Sequence, residues 1–123
     1  MATEDKCCSI VPYFKVSEEN QEKFRAICKK CVEQTRSEDR CLYYGFSFSG
    51  DLANCREAYA DAKGLLIHLE NVDSLLQAAL KISELVRLEV HGPESELAKL
   101  RGPLAGLNPQ FFTLEYGFRK IIT

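Results

Sequence analysis

Two histidines, His68 and His91, are the side chains of this chain best suited to change charge near neutral pH. A neutral imidazole facing a pocket can take a proton from a phenolic hydroxyl, which makes His68 the candidate catalytic base. The competing reading is a His that caps or packs between a strand and a helix. Tyr43, Tyr44 and Tyr59 carry rings and hydroxyls that orient an aromatic ligand by stacking and hydrogen bonding. On strands such rings more often simply fill the core, and that is the favoured reading for Tyr44. Arg87 presents a donor fork that suits an anionic ligand oxygen; the alternative is an ion pair across a subunit contact with Glu89 or another acid. Glu57 has the same two readings. His91, just before Gly92-Pro93, is expected at the surface.

Six cysteines add a second possible chemistry: Cys7, Cys8, Cys28, Cys31, Cys41 and Cys55. Cys28-Lys29-Lys30-Cys31 has metal-ligand and redox spacing. Both thiols fall on the apolar stripe of a helix, however, and packing explains them there. No metal and no cofactor is assigned, and with two His residues a site built mainly on imidazoles within one chain is not expected. The glycine-rich phosphate loop, HExxH and GxSxG patterns are absent from the sequence.

Composition excludes other classes. Hydrophobic residues make up 46% and charged residues 28% of 123 residues, enough for one core. The formal net charge is −2, and the densest basic stretch, Lys29-Lys30 near Arg25 and Lys23, is diluted by Glu22 and Glu33. Nucleic acids require a clustered basic footprint, so they are not expected partners. The first residues are polar and acidic, unlike a secretory leader, and no apolar run approaches the roughly 18 residues that cross a bilayer. A reducing, cytoplasmic location with free thiols and no membrane partner follows as the expectation. One domain is expected over 1–123, with 1–6 a flexible start and the core over about 7–120.

The elements that position these residues are legible from periodicity. Residues 7–16 read as a strand in which Pro12 marks an edge or a bulge. Ser17 is a suitable N-cap for a helix to about Arg36, with Phe24, Ile27, Cys28, Cys31 and Val32 on one stripe. Strands follow over 41–48 and 54–60, the second with Cys55, Glu57 and Tyr59 on one face. The stretch 61–71 reads as a short helical or irregular link, and a helix starts at Asp73. Residues 85–91 alternate, with Val86, Leu88 and Val90 on one face and Arg87, Glu89 and His91 on the other. A short helix over 94–100, a loop over 104–110 and a last strand over 111–119 complete the chain.

The order β-α-β-β-α-β plus a short helix and a fifth strand predicts an α+β, ferredoxin-like split βαβ with an antiparallel sheet. Its helices cover one sheet face. The other is expected to carry Val11, Tyr13, Tyr43, Tyr59 and Phe111, an apolar patch that a soluble monomer rarely leaves in water. A homodimer, paired sheet to sheet and with the last strand free to cross over, is therefore expected.

Over roughly residues 8–120 the chain resembles the antibiotic biosynthesis monooxygenase family of dimeric α+β barrels. The resemblance rests on Glu57-Ala58-Tyr59 at a strand end, the small-Leu pair Gly64-Leu65, His68 three residues later, and a helix over 72–80. The strand Leu85 to His91 followed by Gly92 adds to it. The resemblance implies a dimeric barrel with a pocket between helices and sheet. It also implies a cofactor-independent monooxygenase acting with O2 on a small aromatic or quinol-type substrate. There His68 would be the base, and Tyr43, Tyr59, Arg87 and Glu57 would hold the ring. A non-catalytic barrel binding a small apolar ligand, or a purely structural or regulatory dimer, are the alternatives.

Overall fold

A computed structural model describes residues 4–122. In chain order the elements are β1 (Cys8–Lys15), α1 (Gln21–Thr35), β2 (Cys41–Ser49), β3 (Leu52–Tyr59), α2 (Ala62–Asn71), α3 (Asp73–Lys81), β4 (Glu84–Gly92), α4 (Glu94–Leu100) and β5 (Gln110–Thr113). The sheet order is β2-β3-β1-β4-β5. The first four strands pair antiparallel, and β5 lies parallel to β4. This is the ferredoxin-like α+β arrangement expected from the pattern of elements, with one strand added at an edge. No helix among the described residues is long and apolar enough to cross a membrane.

The helices cover one face of the sheet because one stripe of each is apolar. In α1 the buried residues are Phe24, Cys28, Cys31 and Thr35, which recur at the three- and four-residue spacing of a single helix face. Phe24 packs against Phe14 and Phe48, with ring centroids 5.3 and 6.2 Å apart. The core falls into two neighbouring clusters. One, containing Phe14, Val16, Phe24, Cys28 and Ala79, joins α1 and α3 to the sheet. The other, containing Ile10, Tyr59, Leu65, Val90, Leu97 and Leu100, lies under α2 and α4. Each fully buried large side chain contributes roughly 1.5–3 kcal/mol. The β2–β3 hairpin turns at Gly50, whose φ of 60° suits a residue without Cβ.

Several local expectations are corrected. Ser17 flanks a 3-10 turn over Glu18–Asn20 and its side chain makes no capping bond. The start of α1 is held instead by Gln21 donating to the Val16 carbonyl at 2.9 Å and Asn20 donating to the Ile82 carbonyl at 3.3 Å. Pro12 sits in β1, an interior strand between β3 and β4, so the edge reading fails. The bulge reading holds in its neighbourhood, since the β1–β4 register slips between Tyr13 and Phe14. That slip turns Leu85, not Val86, toward the core and leaves Val86 45% exposed.

The link over 61–71 is a regular helix. Asp61 is extended and its side chain accepts from the Gly64 N–H at 2.9 Å, an N-cap that starts α2. The last strand stops at Thr113, short of the expected 119, and Tyr116 and Phe118 beyond it are exposed. Tyr59 and Phe111 belong to the helix-covered side, not the open face: Tyr59 is fully buried and Phe111 packs on the same cluster. Of the expected flexible start 1–6, residues 1–3 lie outside those described; Asp5 accepts from the Cys7 N–H at 3.0 Å and pairs with Arg119 at 3.3 Å.

Candidate active site

β3 and α2 each turn polar groups inward, Glu57 and Tyr59 from β3 and His68 from α2. Strand alternation turns Ala53, Cys55, Glu57 and Tyr59 of β3 under the helices. The α2 stripe of Ala62, Leu65 and His68 descends onto them. The capping bond at Asp61 sets where α2 begins, and Arg40 pairs with the same carboxylate. This hydrogen bond to Arg40 is the main reason the Asp61 carboxyl falls to about 2. Gly64 permits the close approach. A Cβ there would stand 2.8 Å from the Cβ of Arg40 and 3.3 Å from that of Tyr59.

His68 is 2% exposed and lies between two acids. Its Nδ1 is 2.9 Å from Glu38 Oε2, and its Nε2 is 3.3 Å from Glu57 Oε1. Glu38 Oε2 also accepts from the Asn71 side-chain amide at 2.8 Å, and with Glu38 as a carboxylate, an acceptor only, Nδ1 is the donor to it. That hydrogen bond orients the ring and presents Nε2 to Glu57. Glu57 Oε1 accepts from the Tyr59 hydroxyl at 2.5 Å, and the Cys55 thiol also hydrogen-bonds to Glu57. The rings of Tyr44 and Tyr59 each lie 5.0 Å from the imidazole, centroid to centroid.

Burial governs the electrostatics. Desolvation pushes the Glu57 carboxyl above the ordinary carboxylate range; His68 and the bonds from Tyr59 and Cys55 pull it back only in part. The Tyr59 and Tyr44 hydroxyls are pushed up, chiefly by burial, and stay protonated. His68 Nε2 and the Glu57 carboxyl face each other across their contact, and loss of water disfavours the charged form of the carboxyl. With the proton on its carboxyl Glu57 is an acid, and an imidazole with a free Nε2 is a base; the two groups stand 3.3 Å apart.

A partly enclosed apolar cavity of about 60 Å³ adjoins this pair. Its walls include Phe24, Cys31, Tyr44, Glu57, His68 and Leu88. Ligand sites for drug-sized molecules run to roughly 300–1,000 Å³, so this space accepts only a small group as it stands.

The sequence-derived candidates divide sharply. His68, Glu57 and Tyr59 come together. Tyr44, read chiefly as core, lines the cavity and shares a hydrogen bond with Cys31. Tyr43 is 43% exposed on the opposite sheet face, with Arg56 over its ring at 4.3 Å. Arg87 is also on that face and pairs with Glu89 at 2.5 Å; Glu89 is in turn 3.0 Å from His91. The structure therefore does not join Tyr43 or Arg87 to His68. Glu38 was not foreseen. It stands in the link after α1, outside any periodic pattern, and no local spacing connects it to a His thirty residues on.

The six thiols are free, and Cys28 and Cys31 are buried on the inner face of α1. Burial pushes Cys8 and Cys28 up to about 12 and Cys41 to about 11. Among the described residues no group of three or more His, Cys, Asp or Glu is placed to hold a metal ion.

A sheet in the order β2-β3-β1-β4, with helices on one face and a buried His–Glu pair between them, defines a small ferredoxin-like α+β domain. No family model matches the chain, and no curated protein does. Among solved structures, MupZ from Pseudomonas fluorescens is 48% identical, with a TM-score of 0.92 over 98% of this chain and 94% of that one. An antibiotic biosynthesis monooxygenase is 19% identical, with a TM-score of 0.59 over 68% of this chain and 92% of that one. The chain belongs to the family of MupZ, and its fold is that of the antibiotic biosynthesis monooxygenases.

Proposed function

We propose that this protein is a cofactor-independent acid–base enzyme, monooxygenase-like in kind, that acts on a small, largely apolar molecule. The observation that supports it is the buried Glu38–His68–Glu57–Tyr59 array, whose His68 and Glu57 line an apolar cavity. Buried ionisable groups joined in this way are costly to maintain and cluster at sites of chemistry. The neighbours' names suggest an aromatic or quinol-type substrate and O2. His68 would then take the phenolic proton, and the phenolate would pass electrons to O2. Oxygen adds to the ring carbon, and loss of water leaves the quinone.

Glu57 favours a second form of the same chemistry. Phenol oxidation requires only a base, whereas burial raises the Glu57 carboxyl, and a carboxyl that keeps its proton is a donor. Proton transfer without O2 uses both members of the pair.

The reading includes a homodimer formed through the open sheet face. Val11, Tyr13, Tyr43 and Phe112 are there, beside the Arg87–Glu89–His91 group, and Phe112 stacks on His91 at 4.7 Å. Sedimentation equilibrium at micromolar concentration tests it, and a monomer refutes it.

For the reaction, O2 uptake is measured with a panel of hydroquinones and anthrones, comparing wild type with His68→Ala and Glu57→Gln. The oxygenase form requires uptake that falls at least a hundredfold in His68→Ala, the scale of general base catalysis. Turnover of panel members in anaerobic D2O, with deuterium entering the product and loss in Glu57→Gln, identifies the second form. Activity in neither condition removes the proposal.

A further inference from the structure

We infer that Leu107 is the gate of the cavity beside His68 and Glu57, and that it sets the size of the uncharged, apolar group that enters. The cavity measures about 60 Å³, so a molecule of more than a few heavy atoms enters only if part of the wall withdraws. Some side chains of the wall are half-buried and so reach both the cavity and the surface. They come from α1, β2, α2, α3 and β4, with one exception. Leu107 belongs to a single 3-10 turn, Ala105–Leu107, in the connection from α4 to β5. A wall carried by paired strands and packed helices yields only when those elements move, whereas a surface turn opens alone. Apart from Glu57, His68 and Tyr44, the wall is hydrocarbon and thiol, so a charged group finds no partner for the water it would lose.

The turn is bonded as a unit. The Ala105 N–H donates to the Gly102 carbonyl at 3.2 Å, Leu107 to Leu104 at 3.0 Å and Asn108 to Ala105 at 3.1 Å. Leu104, 2% exposed, anchors its start in the cluster with Leu97 and Leu100, while Ala105, Gly106 and Asn108 are exposed. Asn108 ends it in the left-handed region, with φ 51° and ψ 53°; glycine aside, it alone among the described residues has a positive φ. Such a backbone persists where its surroundings hold it, and it recurs at ligand clamps and switches. The next residue is Pro109, and a residue before proline prefers extended backbone. Withdrawal of Leu107 lets Asn108 relax to that preference, so the closed turn is held against a local bias toward opening. This deepens the acid–base reading and rests on it in one respect, that the reaction takes place in this cavity.

Benzene tests it, because it offers the acid–base pair no proton to move. Methyl proton–carbon spectra of the full chain, titrated with benzene, give its affinity and its rate of entry in Leu107→Ala and Leu88→Ala. Leu88 also lines the cavity but is 7% exposed in β4, so its replacement removes the same three carbons from a fixed part of the wall. Both variants should bind benzene more tightly than wild type, with shifts at the cavity methyls. Benzene should enter Leu107→Ala roughly tenfold faster than Leu88→Ala, the rate effect of about two methylenes that no longer have to leave their packing. The valine pair, one carbon smaller at each site, repeats the comparison where thermal unfolding shows that an alanine variant does not fold. Equal entry rates at the two sites, binding only in the Leu88 variants, or binding in neither would overturn the gate. Entry of an inert probe is unaffected by loss of activity in His68→Ala or Glu57→Gln, and a failed gate leaves the acid–base reading standing.

Discussion

Gly64→Ala should destabilise this protein although it replaces the poorest helix former after proline with the best. Gly64 lies in the first turn of α2, where propensity alone assigns the change a gain of about 1 kcal/mol or less. The structure opposes that gain. The new Cβ would meet Arg40 Cβ at 2.8 Å, Tyr59 Cβ at 3.3 Å and the Arg40 carbonyl at 3.4 Å. Neither partner is a flexible tip. Tyr59 is fully buried, and the Arg40 carbonyl accepts from the Ala60 N–H at 2.8 Å. Carbon atoms rest at about 3.5–4.0 Å, so the start of α2 must retreat by roughly half an ångström or more. Overpacking of this kind costs about 1–3 kcal/mol. The net is a loss of about 1 kcal/mol, or about 3–5 °C in melting temperature for a domain of this size.

The same retreat carries His68, one turn along α2, away from Glu57. Thermal unfolding followed by circular dichroism measures the first effect, and the imidazole nitrogen shifts of His68 report the second. Gly102 has open space where its Cβ would stand, so Gly102→Ala should stay within about 0.5 kcal/mol of wild type. A Gly64→Ala variant that melts higher than wild type, with an unmoved His68 signal, would refute the close-approach argument.

Glu57→Gln should flatten part of the pH dependence of stability. The folded carboxyl is raised above its ordinary 4.5, so its contribution is complete below that pH and is lost as pH rises through the folded value. Urea midpoints of wild type should therefore fall relative to the variant above the carboxylate range; parallel curves would contradict this. Asp61 has the opposite sign. Its carboxyl lies at about 2 instead of 3.8, so its stabilisation is present above 3.8 and lost as pH falls toward 2. Asp61→Ala should cost about 1 kcal/mol at neutral pH, through the lost N-cap, and converge with wild type in acid. Phe24→Ala, at a site 1% exposed and enclosed by Phe14 and Phe48, should cost about 3–5 kcal/mol in denaturant unfolding.

The chain's own order of residues determined what depends on near neighbours. The stripe of α1, the inward face Cys55–Glu57–Tyr59 and the element order of a split βαβ follow from side-chain period, because helix and strand geometry repeat within a few residues, and the short helix α4 from the Gly-Pro pairs on either side of it. His68 and Glu57 stood out by type and spacing.

Tertiary structure decided the rest. A one-residue slip opposite Tyr13 and Phe14 exchanged Leu85 for Val86, since a strand shifted by one residue presents its other face. Strand pairing placed Tyr43 and Arg87 on the far side of the sheet from His68, and buried Tyr59 beside it. Glu38 reached His68 only because the link after α1 passes over α2, a contact made across thirty positions of chain that no local pattern encodes. Burial then raised the Glu57 carboxyl. A residue's type names the proton it can carry, but removal of its water, which only the assembled fold achieves, sets how tightly that proton is held.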